Sequence, residues 1–221
     1  MNGIIVNPSI VVFSEQGFPT IGSLLPDEAF QGVAEVVVVG ADELAETLKH
    51  MDNGCFVNLH APYFPKSAWT EIVAFLHRGG GLLNVGGAPF KIPVRNPADE
   101  HEDWWIETEQ TAYHQELHIH EVLRVDASKV ASLVASEDIP VLCGQESLFQ
   151  VADTWNLVPH TTKSSDLPHQ MGSAGPMNTQ IYPLLKGVSK DGRDIAAPGV
   201  LWEHARGLFA GARWMFIHVP L

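Results

Sequence analysis

A run of histidines and acidic residues in the middle of the chain has the residue types of a metal site. Residues 113–121 read YHQELHIHE. If this segment is a β-strand, alternate side chains share one face, so that three imidazoles and one carboxylate point the same way. These groups suit zinc or a similar metal. The alternative is the polar outer face of a half-exposed strand. The candidate ligands are His114, Glu116, His118 and His120.

Two cysteines are a second source of chemistry, because a thiolate can act as a nucleophile. Cys143 lies in VLCGQE, and Cys55 opens a predicted strand. Neither has a cationic neighbour or a helix start that would favour the reactive thiolate, and two cysteines are too few for a disulfide framework. We predict that both thiols are buried in the core. An amidase that uses Cys143 as its nucleophile is the alternative.

Tryptophans beside carboxylates indicate a third kind of site. Trp104 and Trp105 lie in an acidic stretch, and Trp202 lies near the end of the chain. An indole face covers the apolar side of a sugar ring, and carboxylates accept hydrogen bonds from hydroxyl groups. The alternative is that these side chains pack against the protein body or a partner domain, as buried aromatics commonly do. The neighbouring acidic residues are Asp99, Glu100, Glu102, Asp103 and Glu107.

The elements that must position these residues follow from hydrophobic patterning. Four apolar runs predict buried strands, at 9–13, 35–39, 55–59 and 81–85. Between them, one helix is predicted to begin at an Asp42 cap, and the 65–67 segment opens another. Strands that alternate with helices pair in parallel through right-handed crossovers. We therefore predict a flavodoxin-like α/β fold, a mostly parallel sheet with helices on both faces.

The second half of the chain predicts a different organisation. Three prolines exclude a regular helix near 89–97, so we expect a long surface excursion over about 89–118. Then follow a predicted strand at 119–125, a helix that Asp126 caps and that ends near Ser136, a strand at 139–143 and a loop at 160–178. Antiparallel strands are predicted at about 180–217, since a KDGR turn joins two apolar runs.

Three polar residues follow the third predicted strand. Asn58, His60 and Tyr63 are expected at the carboxyl edge of the sheet, where open α/β folds bind their ligands. A loop whose polar groups satisfy one another is the alternative. The residue types alone leave both interpretations open.

Composition restricts the classes of partner. The chain has 221 residues, 45% hydrophobic and 18% charged, which is typical of one globular domain spanning 1–221. A formal net charge of −13 argues against nucleic acids and anionic membranes as partners. No stretch has the apolar length of a membrane span, and the first residues lack the features of a secretory signal. We expect a soluble, cytoplasmic protein.

The 65–88 segment resembles the class I glutamine amidotransferase-like superfamily. It ends in RGGGLLNVGGA, and in that family a helix leads through a Gly-rich turn into a strand that ends in a Gly-x-Cys-x-Gly nucleophile elbow. On that pattern Asn84 takes the first glycine, Gly86 the cysteine and Ala88 the last glycine. The resemblance therefore implies the fold without the nucleophile.

The end of the chain resembles one branch of that superfamily. Residues 198–216 contain VLWEH, an RG turn and GARW. They look like the trehalose-utilisation-like proteins and the amidotransferase-like domains of bacterial glycoside hydrolases. In those domains the fold persists while the amidotransferase chemistry is lost. The resemblance implies a vestigial pocket lined by Asn58, His60, Tyr63, Asn84, Gly86 and Gly87.

The resulting hypothesis is a non-catalytic accessory domain of a bacterial carbohydrate-processing protein. It would serve interaction, oligomerisation or ligand contact, with no cofactor and no catalytic residue of its own. The expected partners are other domains of the same polypeptide, a second copy in a homo-oligomer, or a saccharide ligand. Because the chain stops directly after an apolar strand, we expect it to be excised from a longer chain. The alternatives are a metal-dependent hydrolase that uses the 114–120 cluster and a sugar-binding module.

Overall fold

The central element is an eight-stranded mixed sheet, seen in a computed structural model that describes residues 9–30, 35–96, 103–159 and 178–221. Its parallel half contains, in spatial order, β2 (Val36–Val39), β1 (Ile10–Phe13), β3 (Cys55–Asn58), β5 (Gly81–Val85) and β13 (Arg213–Ile217). The antiparallel half continues with β12 (Asp194–His204), β11 (Thr179–Val188) and β9 (Ser132–Ala135). The four predicted parallel strands and the terminal antiparallel strands are therefore present.

Two helices cover one face of this sheet. The helices α1 (Ala41–Lys49) and α2 (Trp69–His77) bury Leu44, Leu48 and Ile72 in the same core cluster as Val11 and Phe13. On the opposite face, a second apolar cluster is covered by loops and short 3-10 turns. The predicted helices on both faces are therefore not found in the described part of the chain. Among those residues, no helix combines the length and the apolar character that crossing a membrane requires.

The start of α1 depends on a residue distant in sequence. The backbone N–H of Ala41 donates to Oε2 of Glu15 at 2.9 Å, and Gly40 occupies the cap position. The predicted Asp42 cap is wrong, because Asp42 lies within the first turn. There its carboxylate interacts favourably with the positive end of the helix dipole, but the side chain makes no capping hydrogen bond.

The described parts of the predicted surface excursion form regular secondary structure. It contributes β6 (Ile92–Arg95) and β7 (Trp105–Ile106) to a small sheet with β4 (Tyr63–Pro65). It then forms the short helix α3 (Ala112–Glu116). Part of the excursion, 97–102, lies outside the described residues.

Two predicted elements downstream have the wrong type. After β8 (Ile119–Val125), Asp126 caps only a 3-10 turn, and the chain continues into β9 instead of a helix. The apolar spacing there also fits a strand, and pairing of β9 with β11 decides between the two. The predicted strand at 139–143 is a 3-10 turn at Pro140–Leu142. The strand β10 (Thr154–Pro159) pairs with β8, and the predicted loop at 160–178 lies almost wholly outside the described residues.

Candidate functional site at the carboxyl edge of the sheet

The asparagines predicted to line a pocket are buried in a hydrogen-bond network. Nδ2 of Asn58 donates to Oδ1 of Asn84 at 3.1 Å and to the carbonyl oxygen of Tyr63. Oδ1 of Asn58 accepts the backbone N–H of His60, and Nδ2 of Asn84 donates to the carbonyl oxygen of Gly87. Asn58, His60 and Asn84 are 0% exposed. The network holds the loops that follow β3 and β5. Its side chains, those of Asn58, His60 and Asn84, do not line the cleft described below, whereas Gly87 does.

His60 has two internal partners as well. Its Nε2 accepts the backbone N–H of Glu15 at 3.1 Å, so the ring proton is on Nδ1, which donates to the carbonyl oxygen of Pro19. Phe13 and Phe18 pack against the ring. Burial lowers the pKa of His60 to about 4, because the charged imidazolium is poorly solvated there. His60 is therefore a neutral structural residue at pH 7.

The backbone at the predicted elbow has no room for a side chain. Gly86 has a φ of +112°, in the region that residues with a side chain rarely adopt. A Cβ atom added to Gly86 would lie 2.8 Å from the carbonyl oxygen of Ala61. A cysteine nucleophile at this position would therefore require the loop to move.

A cleft of about 220 Å³ opens beside Gly86 and Gly87, and we call it the carboxyl-edge cleft. The glycines directly follow β5, and His218 directly follows the adjacent strand β13. The antiparallel pair of β8 and β10, between which β9 lies in the chain, supplies Glu121 and Trp155. The polar and aromatic lining consists of Lys91, Glu109, Glu121, Asp153, Trp155 and His218.

Charged groups in the carboxyl-edge cleft form a connected cluster. Nζ of Lys91 donates to Glu121 and lies 2.9 Å from Oε1 of Glu109. Nε2 of His218 lies 3.3 Å from Oε1 of Glu121. Nζ of Lys91 is also 5.7 Å from the ring centroid of Trp155, within cation–π range.

The protonation states in this cluster follow from its contacts. Burial alone would raise the pKa of Glu121, but hydrogen bonds from His218 and Lys91 outweigh it and lower that pKa to about 2. Burial disfavours the charged form of Lys91, yet its bonds to Glu121 and Glu109 raise its pKa. Glu121 is therefore an anion and Lys91 a cation at neutral pH.

His218 leaves one ring nitrogen unused. Its side chain is 6% exposed, and Nδ1 has no hydrogen-bond partner among the described residues. Buried polar atoms nearly always have a partner. The contact with Glu121 therefore orients the imidazole, while Nδ1 is a buried polar atom without a partner among the described residues.

The predicted metal ligands do not converge. The segment begins as α3, and His118 adopts a φ of +54° before β8 starts, so no strand places these side chains on one face. Nε2 of His114 bonds the carbonyl oxygen of Pro89, and Glu116 accepts from Nε1 of Trp69 at 2.8 Å. Burial lowers the pKa of His114. Within the described ranges, no group of three potential ligands is close enough to hold a metal ion.

The predicted sugar-stacking tryptophans have three different environments. Trp104 packs against Phe18, with ring centroids 4.9 Å apart, and Trp202 is 0% exposed in the core. Trp105 is 68% exposed on β7. Of their acidic neighbours, Glu107 is held by Lys66 at 2.8 Å and by Arg95, whereas Asp99, Glu100 and Glu102 lie outside the described residues. Only Trp105 offers a free indole face.

The two cysteines also differ. Cys143 is exposed, so the prediction that it is buried is wrong. Its segment forms a 3-10 turn at the surface where a strand was expected. Cys55 is half-buried, and burial raises the pKa of its thiol to about 11.

Comparisons with known proteins give little beyond these observations. No protein-family model matches the chain, and no similar sequence was found among curated proteins. Among solved structures, the exo-β-1,4-mannosidase Op5Man5 from Opitutaceae bacterium strain TAV5 aligns with a TM-score of 0.45 and 9% identity. The alignment covers 96% of this chain and 31% of the mannosidase chain. A likeness this distant carries no argument about function, and the amidotransferase-like resemblance has no family match behind it.

Proposed function

We propose that this chain is a non-catalytic, ligand-contacting accessory domain of a carbohydrate-processing protein. The observation that carries the proposal is the backbone at Gly86. In the amidotransferase pattern this position holds the nucleophile, but here a Cβ would lie 2.8 Å from a carbonyl oxygen. Beside it, the carboxyl-edge cleft has a mostly apolar lining with a few charged groups, the combination typical of small-molecule sites.

The lining of the carboxyl-edge cleft favours a hydroxyl-rich ligand. Trp155 offers an indole face. Glu109 and Glu121 can accept hydrogen bonds from hydroxyl groups, and Lys91 can donate to them. The volume of about 220 Å³ is below the roughly 300–1,000 Å³ of sites for drug-sized ligands. A single sugar ring or a compact polyol is the appropriate size class.

A calorimetric titration of the chain with mono- and disaccharides tests this function. We expect binding of at least one saccharide, and weaker binding by Glu109→Gln, because Glu109 is a half-exposed member of the cleft. Glu137→Gln is the matched control, since Glu137 is an exposed glutamate outside the cleft. No saccharide binding, or release of ammonia from glutamine, would contradict the proposal.

Trp105 supports a second candidate, a sugar-binding module that uses the edge of the small sheet. Its indole is 68% exposed beside Ile106, which is 50% exposed. Binding lost in Trp105→Ala but kept in Glu109→Gln would favour this surface over the carboxyl-edge cleft.

A further inference from the structure

We propose that the protein binds an uncharged, apolar small molecule in a cavity on the face of the central sheet opposite α1 and α2, which we call the apolar cavity. The apolar cavity has a volume of about 350 Å³, and no polar atom of the described residues borders it. Its floor is formed by side chains of the sheet, among them Val12, Val57, Val85 and Ile217. It shares no lining residue with the carboxyl-edge cleft, so this inference goes beyond the proposed function and does not depend on it.

The cover of the apolar cavity is fixed by polar contacts. Two segments, 23–30 and 142–150, contribute apolar side chains that lie over the sheet. The side-chain amide of Gln150 donates to the backbone oxygen of Leu221 at 2.8 Å, and the backbone N–H of Ser23 donates to the same oxygen at 3.4 Å. Because these hydrogen bonds tie both covering segments to the chain that follows β13, they hold the cover above the sheet.

The lining of the apolar cavity determines the class of its ligand. Every lining side chain is a hydrocarbon, apart from the thioether of Met215. A charged or hydrogen-bonding group buried there would lose its bonds to water without replacement. Water itself would be weakly held, since a buried water needs roughly two to four polar partners. A hydrocarbon ligand gives up no hydrogen bond and removes its own surface and that of the lining from water.

The depth and the size of the apolar cavity favour a small molecule over a second protein. Of the lining residues, Leu25 and Leu148 are exposed, whereas the floor residues named above are at most 7% exposed. A flat partner surface would therefore cover the mouth without reaching the floor. An apolar cavity of about 150 Å³ holds one benzene ring. The apolar cavity is more than twice as large, which suits two fused rings or an alkyl chain of medium length.

The test uses the full chain and N-phenyl-1-naphthylamine, an uncharged dye whose fluorescence rises in apolar surroundings. The dye is displaced by 1-alkanols from hexanol to dodecanol, whose hydroxyl group can stay in water at the mouth. Val57→Phe places a larger side chain at the floor of the apolar cavity. Leu208→Phe is the matched control, because Leu208 is 58% exposed and lies outside the lining.

We expect one dye molecule to bind per chain. Alkanol affinity should rise about fourfold per methylene group and level off once the apolar cavity is filled. Val57→Phe should weaken dye binding at least tenfold, and Leu208→Phe should leave it unchanged. If Val57→Phe does not fold, urea denaturation of the unaltered protein gives the answer, because a ligand of the folded state raises the unfolding midpoint.

Several results would overturn this inference. They are the absence of saturable dye binding, equal dye binding by Val57→Phe and Leu208→Phe, and a midpoint that falls when 1-decanol is added. A dimer in sedimentation that 1-decanol dissociates would assign the mouth of the apolar cavity to a second copy of the chain and would also overturn it. Saccharide binding is measured separately, so the proposed function and this inference can fail independently.

Discussion

Acid should destabilise this protein through two buried histidines. His60 is 0% exposed and His204 is 2% exposed. Nδ1 of His204 lies 2.8 Å from the hydroxyl of Thr179, and its Nε2 has no partner among the described residues. Burial lowers the pKa of each ring from 6.5 to about 4. Both are therefore neutral in the folded state at pH values where the unfolded chain takes up protons.

The magnitude follows from proton linkage. A shift from 6.5 to about 4 is about 2.5 units, and at about 1.36 kcal/mol per unit each ring contributes at most about 3.4 kcal/mol. The unfolded state binds more protons between these two values, so the free energy of unfolding falls as pH drops from about 6.5 to about 4. Two rings together give a slope approaching about 2.7 kcal/mol per pH unit near pH 5. Below about pH 4 their contribution levels off.

Urea denaturation at intervals from pH 7 to pH 4.5 measures this slope. We expect His60→Gln and His204→Gln each to reduce the slope by up to about 1.36 kcal/mol per pH unit, whatever they do to stability at pH 7. His114, whose pKa burial also lowers, adds a contribution that both variants keep. His50→Gln is the matched control, because His50 lies on the surface. A slope that is the same in all four proteins would refute the argument that burial keeps these rings neutral.

Three further outcomes are expected. Gly86→Ala should destabilise the protein by about 1–3 kcal/mol in chemical denaturation. The control is Gly192→Ala, because Gly192 also has a positive φ, of +80°, but its added Cβ would meet nothing within 4 Å. The loss should be smaller for the control, and equal losses would contradict the steric argument. Cys143 should react with a thiol reagent in the native protein at pH 8, while Cys55 reacts only after unfolding; mass spectrometry of the labelled peptides decides this. Trp214→Ala should lower the free energy of unfolding by about 3–5 kcal/mol, because the side chain is 0% exposed; a loss below about 1 kcal/mol would contradict its place in the core.

Sequence reasoning located the parallel strands well because their pattern is local. Four consecutive valines in β2 predict a strand, and the Gly-rich turn before β5 predicts where that strand begins. The predicted burial of β2 on both faces is wrong, because β2 is an edge strand and three of its four valines are only half-buried. The same reasoning failed at β9. A periodicity of three and four residues there fitted a helix, but pairing with β11 stabilised a strand. Pairing between segments about fifty residues apart leaves no local signal.

The metal prediction failed for a related reason. Alternation over 113–121 is informative only if the backbone is extended throughout. Tyr113 packs against Phe64 and Trp69, with ring centroids 4.9 Å away in both cases, and this contact accompanies a helical turn that rotates His114 inward. The side chains that would have shared a face were thereby separated.

The cleft residues differ in whether the sequence could have identified them. His218 directly follows a predicted strand, so the rule that selected Asn58 and His60 could also have selected it. Glu121 and Trp155 carry no such signal, because they lie on β8 and β10, which are not strands of the central sheet. Lys91 carries none either, because it lies in the loop before β6.

The sequence by itself determined the residue types, the strands with continuous apolar runs and the absence of a cysteine at position 86, since each is a property of neighbouring residues. Only the tertiary structure decided that Asn58 and Asn84 bond to each other while Glu121 and His218 face a cleft. Burial and charge pairing depend on which distant segments come together, and these in turn set the protonation states on which the proposed binding depends.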